Sequence, residues 1–406
     1  MLPDGWVKTT VGKSCTIRNT LRFPLNATDR ANMPGEYPYF GPTGKLDAID
    51  HYRIDEPFAL IGEDGDHFLK FRDRPMTLYF EGKANVNNHA HIIGNSKECL
   101  AKWFYYCFMH RDLTATLSRQ GVGRYKLTKS GLEQLELALP PKQEQAAIVE
   151  VLSTWDQAIA TTERLLANSR HQKMLLSQQV LTGKARLAGF TASGHKRNTP
   201  YGSVPVEWDY PRIGDVAAEI SEKLGDSEPH PVLSCTKHHG LVDSLKYFTK
   251  KVFSLNTSTY KVAPRGCFVY ATNHIDEGSI GYQNLYDAGL ISPMYTVFKT
   301  NDKVVDAYLF ALLKTEHYRQ IFASAINASV DRRGSLRWKD FQRIHIPLPS
   351  VEEQQAIATM LAQGGREVAL IKNQLDLLRE EKSALMSQLL TGKRRVRLPA
   401  DEAETA

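Results

Sequence analysis

The sequence predicts an α+β protein: two similar domains of mixed α and β structure, separated by two long helices that pair as an antiparallel coiled coil. Three observations predict it. One segment occurs twice at a fixed spacing, both copies carry the apolar period of a helix, and the regions ahead of the copies open and close alike. The length of 406 residues also exceeds one ordinary domain of ~100–200 residues.

The repeat is established by counting. PPKQEQAAIVEVL from Pro140 recurs as PSVEEQQAIATML from Pro349, and SQQVLTGKARL from Ser177 recurs in MSQLLTGKRRV from Met386. One offset of 209 residues relates both pairs, and residues 140–184 align with 349–393 without a gap. Sixteen of those 45 positions are identical, including Glu144 and Glu353, Gln145 and Gln354, Ile148 and Ile357, and the Leu-Thr-Gly-Lys quartet. Chance does not produce this over a gapless stretch, so the chain is internally duplicated.

Each copy reads as one helix. Steps of three and four residues place Ile148, Leu152, Ile159, Leu166 and Leu176 on one seam, and Ile357, Leu361, Val368, Leu375 and Leu385 on the other. Prolines mark each start, and Gly183 or Gly392 each end. Roughly 40 residues at ~1.5 Å each give a rod of about 60 Å. Helices this long, with matching seams, bury each other; they run antiparallel if the globular domains lie at opposite ends. Gly364 and Gly365 are expected to bend or interrupt the second rod near its start, since glycine is a poor helix former.

The globular domains are residues 1–139 and 187–348, the second entered through a linker at 187–203. The helices take 140–186 and 349–393, and a flexible tail is expected at 394–406. Trp6 in LPDGWVKTTVGK and Trp208 in VPVEWDYPRIGD hold matching places near the openings, and LEQLELALPP from Leu132 matches FQRIHIPLPS from Phe341, again 209 residues on. Between them, β-rich stretches such as TLYFEG, CFVYAT and MYTVFK are separated by Gly, Asn and Asp, and each domain has a helix-like run, AKWFYYCFMH or AYLFALLKTEHYR.

Composition narrows the class. Hydrophobic residues at 42% and charged residues at 24% are ordinary globular values, and no apolar run approaches the ~20 residues of a membrane span. The opening MLPDGWVKTT lacks the order of a signal peptide, and five scattered cysteines fit a reducing compartment, so a cytoplasmic protein is expected. The net charge of +6 is spread over the chain without a strongly basic arm. A nucleic-acid ligand would therefore be read locally rather than held by phosphate attraction alone.

Two features recur in both domains and are the candidate DNA contacts. One is a Pro, two apolar residues and a polar loop, carrying Thr43 and Lys45 in the first domain and Thr236 and Lys237 in the second. The other is a basic stretch ahead of the closing strand: Arg119, Arg124, Lys126 and Lys129, against Arg332, Arg333, Arg337, Lys339 and Arg343. Arg and Lys serve phosphates and guanine edges, while Thr reads other base edges. For a single residue, a solvated loop is the competing reading.

Catalytic signatures are missing. The only Pro-Pro, Pro140-Pro141, lies between Leu139 and Lys142, which is not the tetrapeptide of an amino-methyltransferase. GPTGK at Gly41 has two residues between its glycines and Leu46 after the lysine, so it is no phosphate loop. A metal-dependent nuclease triad can be drawn from Asp66, Glu81 and Lys83, with no counterpart in the second domain. The pairs His89 and His91, or His238 and His239, lack a third ligand at diagnostic spacing, so no metal site is expected.

The order of domain, Pro-Pro-x-x-Glu-Gln-x-x-Ile helix ending Leu-Thr-Gly-Lys, second domain and second such helix resembles the specificity subunits of type I restriction-modification systems over nearly the whole chain. The resemblance implies two target recognition domains that read a bipartite duplex, with the ten seam residues serving helix pairing and partner docking and the rod length setting the gap. It implies no cofactor on this chain: two DNA adenine methyltransferase subunits would carry S-adenosylmethionine, and restriction subunits would use ATP and Mg²⁺. Val206-Glu207-Trp208 in place of a Gly-Trp, Ser350 in place of the second proline, and the Gly364-Gly365 pair depart from the pattern. The alternatives are the same role beside a fused methyltransferase-nuclease, a self-contained nuclease on the triad above, and a coiled-coil scaffold that binds only protein.

Overall fold

The computed structural model describes residues 2–120, 124–190, 193–228, 230–327 and 334–398. The chain divides into two compact units, Met1–Arg164 with Lys372–Ala406, and Leu165–Ile371. Each unit holds one globular portion and part of each long helix.

In the first unit an antiparallel sheet runs in the order Thr16–Ile17, Ala90–Gly94, Phe58–Gly62, Thr77–Phe80. The second unit repeats it as Ala217–Ile220, Tyr295–Thr300, Phe268–Ala271, Ile280–Tyr282. Register repeats too, since Gly62 faces Ala90 as Ala271 faces Tyr295. The central strands are apolar throughout because both faces are covered. Side chains alternate between two cores: Ala59 and Ile61 pack toward the short helix Ala101–Phe108, while Phe58 and Leu60 meet the second layer of strands.

That second layer pairs Pro34–Phe40 with Lys45–Ile49, and Lys83–Val86 with Ile54–Asp55, through a parallel register of Tyr39 with Asn85. In the second unit the hairpin Leu233–Thr236 and Gly240–Asp243 meets the pair Lys261–Pro264 and Ala288–Ile291 through a parallel bridge between Val232 and Leu290. The two polar loops picked out in the sequence therefore occupy the same turn of one fold.

The long helices are Lys142–Leu181 and Val351–Leu389. Their starts explain the repeated Glu-Gln. The Gln145 amide donates to the carbonyls of Pro140 at 2.9 Å and Glu98 at 2.7 Å and accepts from the Leu100 amide at 3.0 Å, tying the short helix Ala101–Phe108 to the long one. Gln354 does the same with Pro349, Lys303 and Val305, at the head of Asp306–Leu313. Glu144 accepts from Trp6 Nε1 at 3.1 Å and Glu353 from Trp208 Nε1 at 3.0 Å. A guanidinium closes each carboxylate in a bidentate pair, Arg395 on Glu144 and Arg186 on Glu353. Gly183 and Gly392, at φ +66° and +71°, end the helices where a Cβ would lie 2.4 Å from Pro205 or Pro3, beneath these tryptophans.

Within each unit the helices run antiparallel. In the first, Asp156 pairs with Lys382 and Glu163 with Arg379 at 2.6 Å. In the second, Leu181 shares a core with Ile357 and Ala358, and Lys173 lies over Gly364 and Gly365. Ile148, Leu152 and Ile357 are fully buried, Leu166 and Leu375 nearly so, and Ile159, Leu361, Val368 and Leu385 half-buried. Leu176 departs from the seam at 42% exposure, because a 3.6-residue turn drifts against a 3.5-residue pattern and Ser177 turns inward in its place.

The interruption expected at Gly364-Gly365 does not occur, and the helix runs through both. The Lys173 stem covers them, its Cγ 3.6 Å from where a Gly364 Cβ would stand. Packing across the pair offsets a glycine cost of about 1 kcal/mol each. Gly364→Ala, with room for its methyl, is expected to raise unfolding free energy by about 0.5–1 kcal/mol in urea titration. Glu353→Ala is expected to lower it by about 2–4 kcal/mol, since it removes the buried acceptor of Trp208 Nε1 and leaves Arg186 with only its 3.4 Å contact to Glu207. Glu144→Ala should cost less, because the Arg395 side chain remains 47% exposed against 11% for Arg186.

Candidate nucleic-acid interface

At one end of the first unit's sheet, four segments converge behind the strand Phe58–Gly62. The turn 41–44 approaches through Pro42, which a Gly62 Cβ would meet at 3.3 Å. Asn87 donates its amide to Phe40 O, and Glu63 to His89 O. The basic hairpin Ser118–Gln120 and Arg124–Lys126 joins them through Gly65 N to Tyr125 O at 3.0 Å and Leu127 N to Glu63 O at 2.7 Å. In the second unit Leu336 N donates to Thr272 O at 2.8 Å, and both residues lie 209 positions beyond Leu127 and Glu63. Each basic segment thus docks by backbone on the loop that follows the central strand.

Thr43 is exposed in a turn closed by Gly41 N to Gly44 O at 2.8 Å, and Lys45 is exposed at the start of the strand that follows. Thr236 is committed to its own turn: its hydroxyl donates to Gly240 O and accepts from His239 N, both at 3.1 Å. Lys237 is exposed, 3.9 Å from Glu277. Arg119 and Arg124 lie on paired strands, and their side chains fall outside the described residues, as do Arg332 and Arg333 entirely. Lys129 pairs along its helix with Glu133 at 3.6 Å, and Arg343 with Asp340 at 3.8 Å.

Lys126 is held from below. Glu63 takes its ammonium at 3.2 Å and the Arg22 guanidinium at 2.9 Å. His91, 1% exposed, donates from Nε2 to Leu127 O at 2.8 Å and accepts at Nδ1 from Arg22 at 2.8 Å and Asn19 at 3.0 Å. Burial first, then the neighbouring Arg22 charge, holds its pKa below the usual imidazole value, so the ring stays neutral. Arg22, Glu63 and His91 escaped sequence reading because nothing in their spacing marks a shared cluster.

The second unit replaces this cluster with an open cleft of about 830 Å³. Thr272 and Asn273 stand where the first unit has Glu63 and Asp64, and Met294 where it has His89. His89 and Asp64 close on each other at 2.9 Å; Asn273 and Met294 make no such pair and line the cleft with Arg337 and Lys339. Both of these cations are exposed.

The nuclease triad does not assemble. Phe58 faces Phe80 and Ile61 faces Thr77, so Asp66, beyond Gly62, and Glu81, beyond Phe80, lie at opposite ends of one strand pair, about 13 Å of strand apart. Glu81 accepts from Tyr79 at 2.6 Å, and Lys83 sits over the Tyr52 ring. Among the described residues no group of three or more His, Cys, Asp or Glu could hold a metal ion, and no helix is long and apolar enough to cross a membrane.

The model of the family described as type I restriction modification DNA specificity domain matches residues 3–168 and 205–380. The type I restriction enzyme MjaVIII specificity subunit of Methanocaldococcus jannaschii is 24% identical over 385 residues, 90% of this chain and 88% of that one. A putative type I restriction enzyme specificity subunit of Haemophilus influenzae is 29% identical over 136 residues, so the chain spans about a third of that relative, 34% of each. The crystal structure of a type I restriction-modification S subunit from M. genitalium shares the fold, with a TM-score of 0.58 at 14% identity over 96% of this chain and 97% of that one.

Two lysines, one held in a cluster and one exposed at the cleft, give distinguishable expectations. Lys126→Ala, which removes one of the cations on Glu63, is expected to cost about 1–3 kcal/mol of stability in urea titration. Lys339→Ala should leave stability unchanged and reduce the slope of log affinity against log salt on duplex DNA by about one, as loss of one phosphate contact does.

Proposed function

The chain belongs to the family of type I restriction modification DNA specificity subunits, and from that premise we propose that it is a non-catalytic reader of a bipartite DNA target. Each unit serves one half-site. The observation that carries this reading is the duplication: one fold occurs twice, and in both copies a polar turn and a basic segment flank the loop after the central strand. Side chains at equivalent places differ, Asp64 against Asn273 and His89 against Met294, which suits two readers of unlike sequence.

The chemistry belongs to partners. Two adenine methyltransferase subunits would bring S-adenosylmethionine and extrude the target base, and restriction subunits would bring ATP and Mg²⁺. The separation of Asp66 from Glu81 supports leaving cleavage to them. Docking is assigned to the long helices, whose outer faces expose Leu165, Met174, Leu370 and Leu377.

Exchanging residues 1–139 for the corresponding domain of another specificity subunit is expected to change one half-site and leave the other as it was. Methylome sequencing of a host carrying the chimera with its methyltransferase reads the result. A target unchanged in both halves would defeat the assignment of reading to the units.

A further inference from the structure

The two units carry equivalent grooves between the short helix and the long ones, of about 1000 Å³ in the first and 960 Å³ in the second. Their register is fixed by two independent contacts. Leu100 and Val305 both donate to the glutamine of the long-helix start, at 3.0 and 2.8 Å. Trp103 and Tyr308 both reach the carbonyl two residues before the helix-start proline, Ala138 at 3.2 Å and Pro347 at 2.9 Å. Tyr106 therefore corresponds to Ala311, and by the 209-residue offset Asp156 corresponds to Gly365 and Lys382 to Lys173.

In the first unit these three side chains complete one another. The Tyr106 phenol donates to Asp156 at 2.7 Å, and Lys382 pairs with Asp156 while lying over the Tyr106 ring. In the second unit the lysine remains and both partners are gone. Lys173 is half-buried, without an ion pair among the described residues, and rests on the bare backbone of Gly364 and Gly365. The other charges of that groove are engaged: Glu316 holds Arg319 at 2.7 Å, and Lys314 donates to Lys237 O and Gly278 O. Met174, Phe310, Tyr318 and Leu361 supply apolar walls around the vacant ring position.

We infer that the second unit's groove is a docking site for a partner subunit's segment that carries an aromatic side chain next to a carboxylate, the ring taking the Tyr106 position and the carboxylate pairing with Lys173. The inference rests on reading the chain as one subunit of a complex, and it adds an asymmetry. In the first unit's groove the ring and carboxylate positions are already taken by Tyr106 and Asp156, so this occupant binds once per chain. A half-buried lysine without a counter-ion is the costlier state, which makes the carboxylate, rather than any apolar group, the selected feature.

The probe is the capped dipeptide N-acetyl-Tyr-Asp-amide, titrated against the full chain by ligand-observed NMR, with N-acetyl-Tyr-Asn-amide as control. The Asp form is expected to bind one site per chain at least about fivefold tighter than the Asn form, a typical gain for a charge-assisted contact over a neutral one. Lys173→Ala should erase that preference. Ala311→Tyr with Gly365→Asp, which rebuilds the first unit's arrangement, should abolish binding while unfolding at or above the wild-type temperature, showing that the fold is intact. Native mass spectrometry with co-expressed methyltransferase subunits should then show one partner chain fewer. Equal binding of the two dipeptides, no binding, or a preference that survives Lys173→Ala overturns the site. So does a self-dimer of the chain that the double variant abolishes, since the occupant would then be a second copy. None of these results touches the half-site exchange, so a failed docking site and a failed DNA-reading assignment give different records.

Discussion

A buried carboxylate at the first turn of each long helix is the constraint from which the rest of the structure follows. Glu144 and Glu353 are 1% and 2% exposed, and a charge so placed is tolerable only when every oxygen is engaged. The engagement recruits distant parts of the chain. Trp6 and Trp208 come from the openings of the globular portions, and Arg395 and Arg186 from just beyond the helix ends. One carboxylate thus fixes a domain opening, a helix start and a helix end, and Gln beside it fixes the short helix and the turn before it.

Where the copies agree and where they differ follows from what each position does. The framework contacts recur to within a few tenths of an ångström: Trp to Glu, Gln to the two carbonyls, Leu127 or Leu336 to the loop after the central strand. The differences fall on cleft and groove linings, buried as well as exposed. Asp64 and His89 form a pair where Asn273 and Met294 leave a cleft, and Asp156 and Tyr106 join on the wall of the first unit's groove where the second has Gly365 and Ala311. Substitutions there break no framework bond, which is why the copies could drift apart on those surfaces without losing the fold.

The helices and the duplication were legible because they rest on period and count. A seam at steps of three and four survives substitution, and the 209-residue offset needs no geometry. Counting two residues further would have paired Arg186 with Arg395 and exposed the carboxylate clamp, since Glu144 and Glu353 were already aligned. The uninterrupted helix at Gly364-Gly365 was not legible, because propensity speaks for the isolated helix and the Lys173 stem belongs to another one. Thr236 misled for a related reason: a threonine in a polar loop looks the same whether its hydroxyl is free or closing its own turn.

The same separation explains why base contacts resist sequence reading in this architecture. The loop after each central strand is pinned by a main-chain bond, Leu127 N to Glu63 O or Leu336 N to Thr272 O, and the adjoining turns close on their own backbone or on a local hydroxyl. Main-chain pinning places no demand on which side chains the loop carries. Glu63 and Thr272 accept the same hydrogen bond although one is an anion buttressing Lys126 and the other a neutral hydroxyl. A reading surface built this way can change its chemistry residue by residue while its position stays fixed, and a pattern search, which needs fixed residue types, has nothing there to hold.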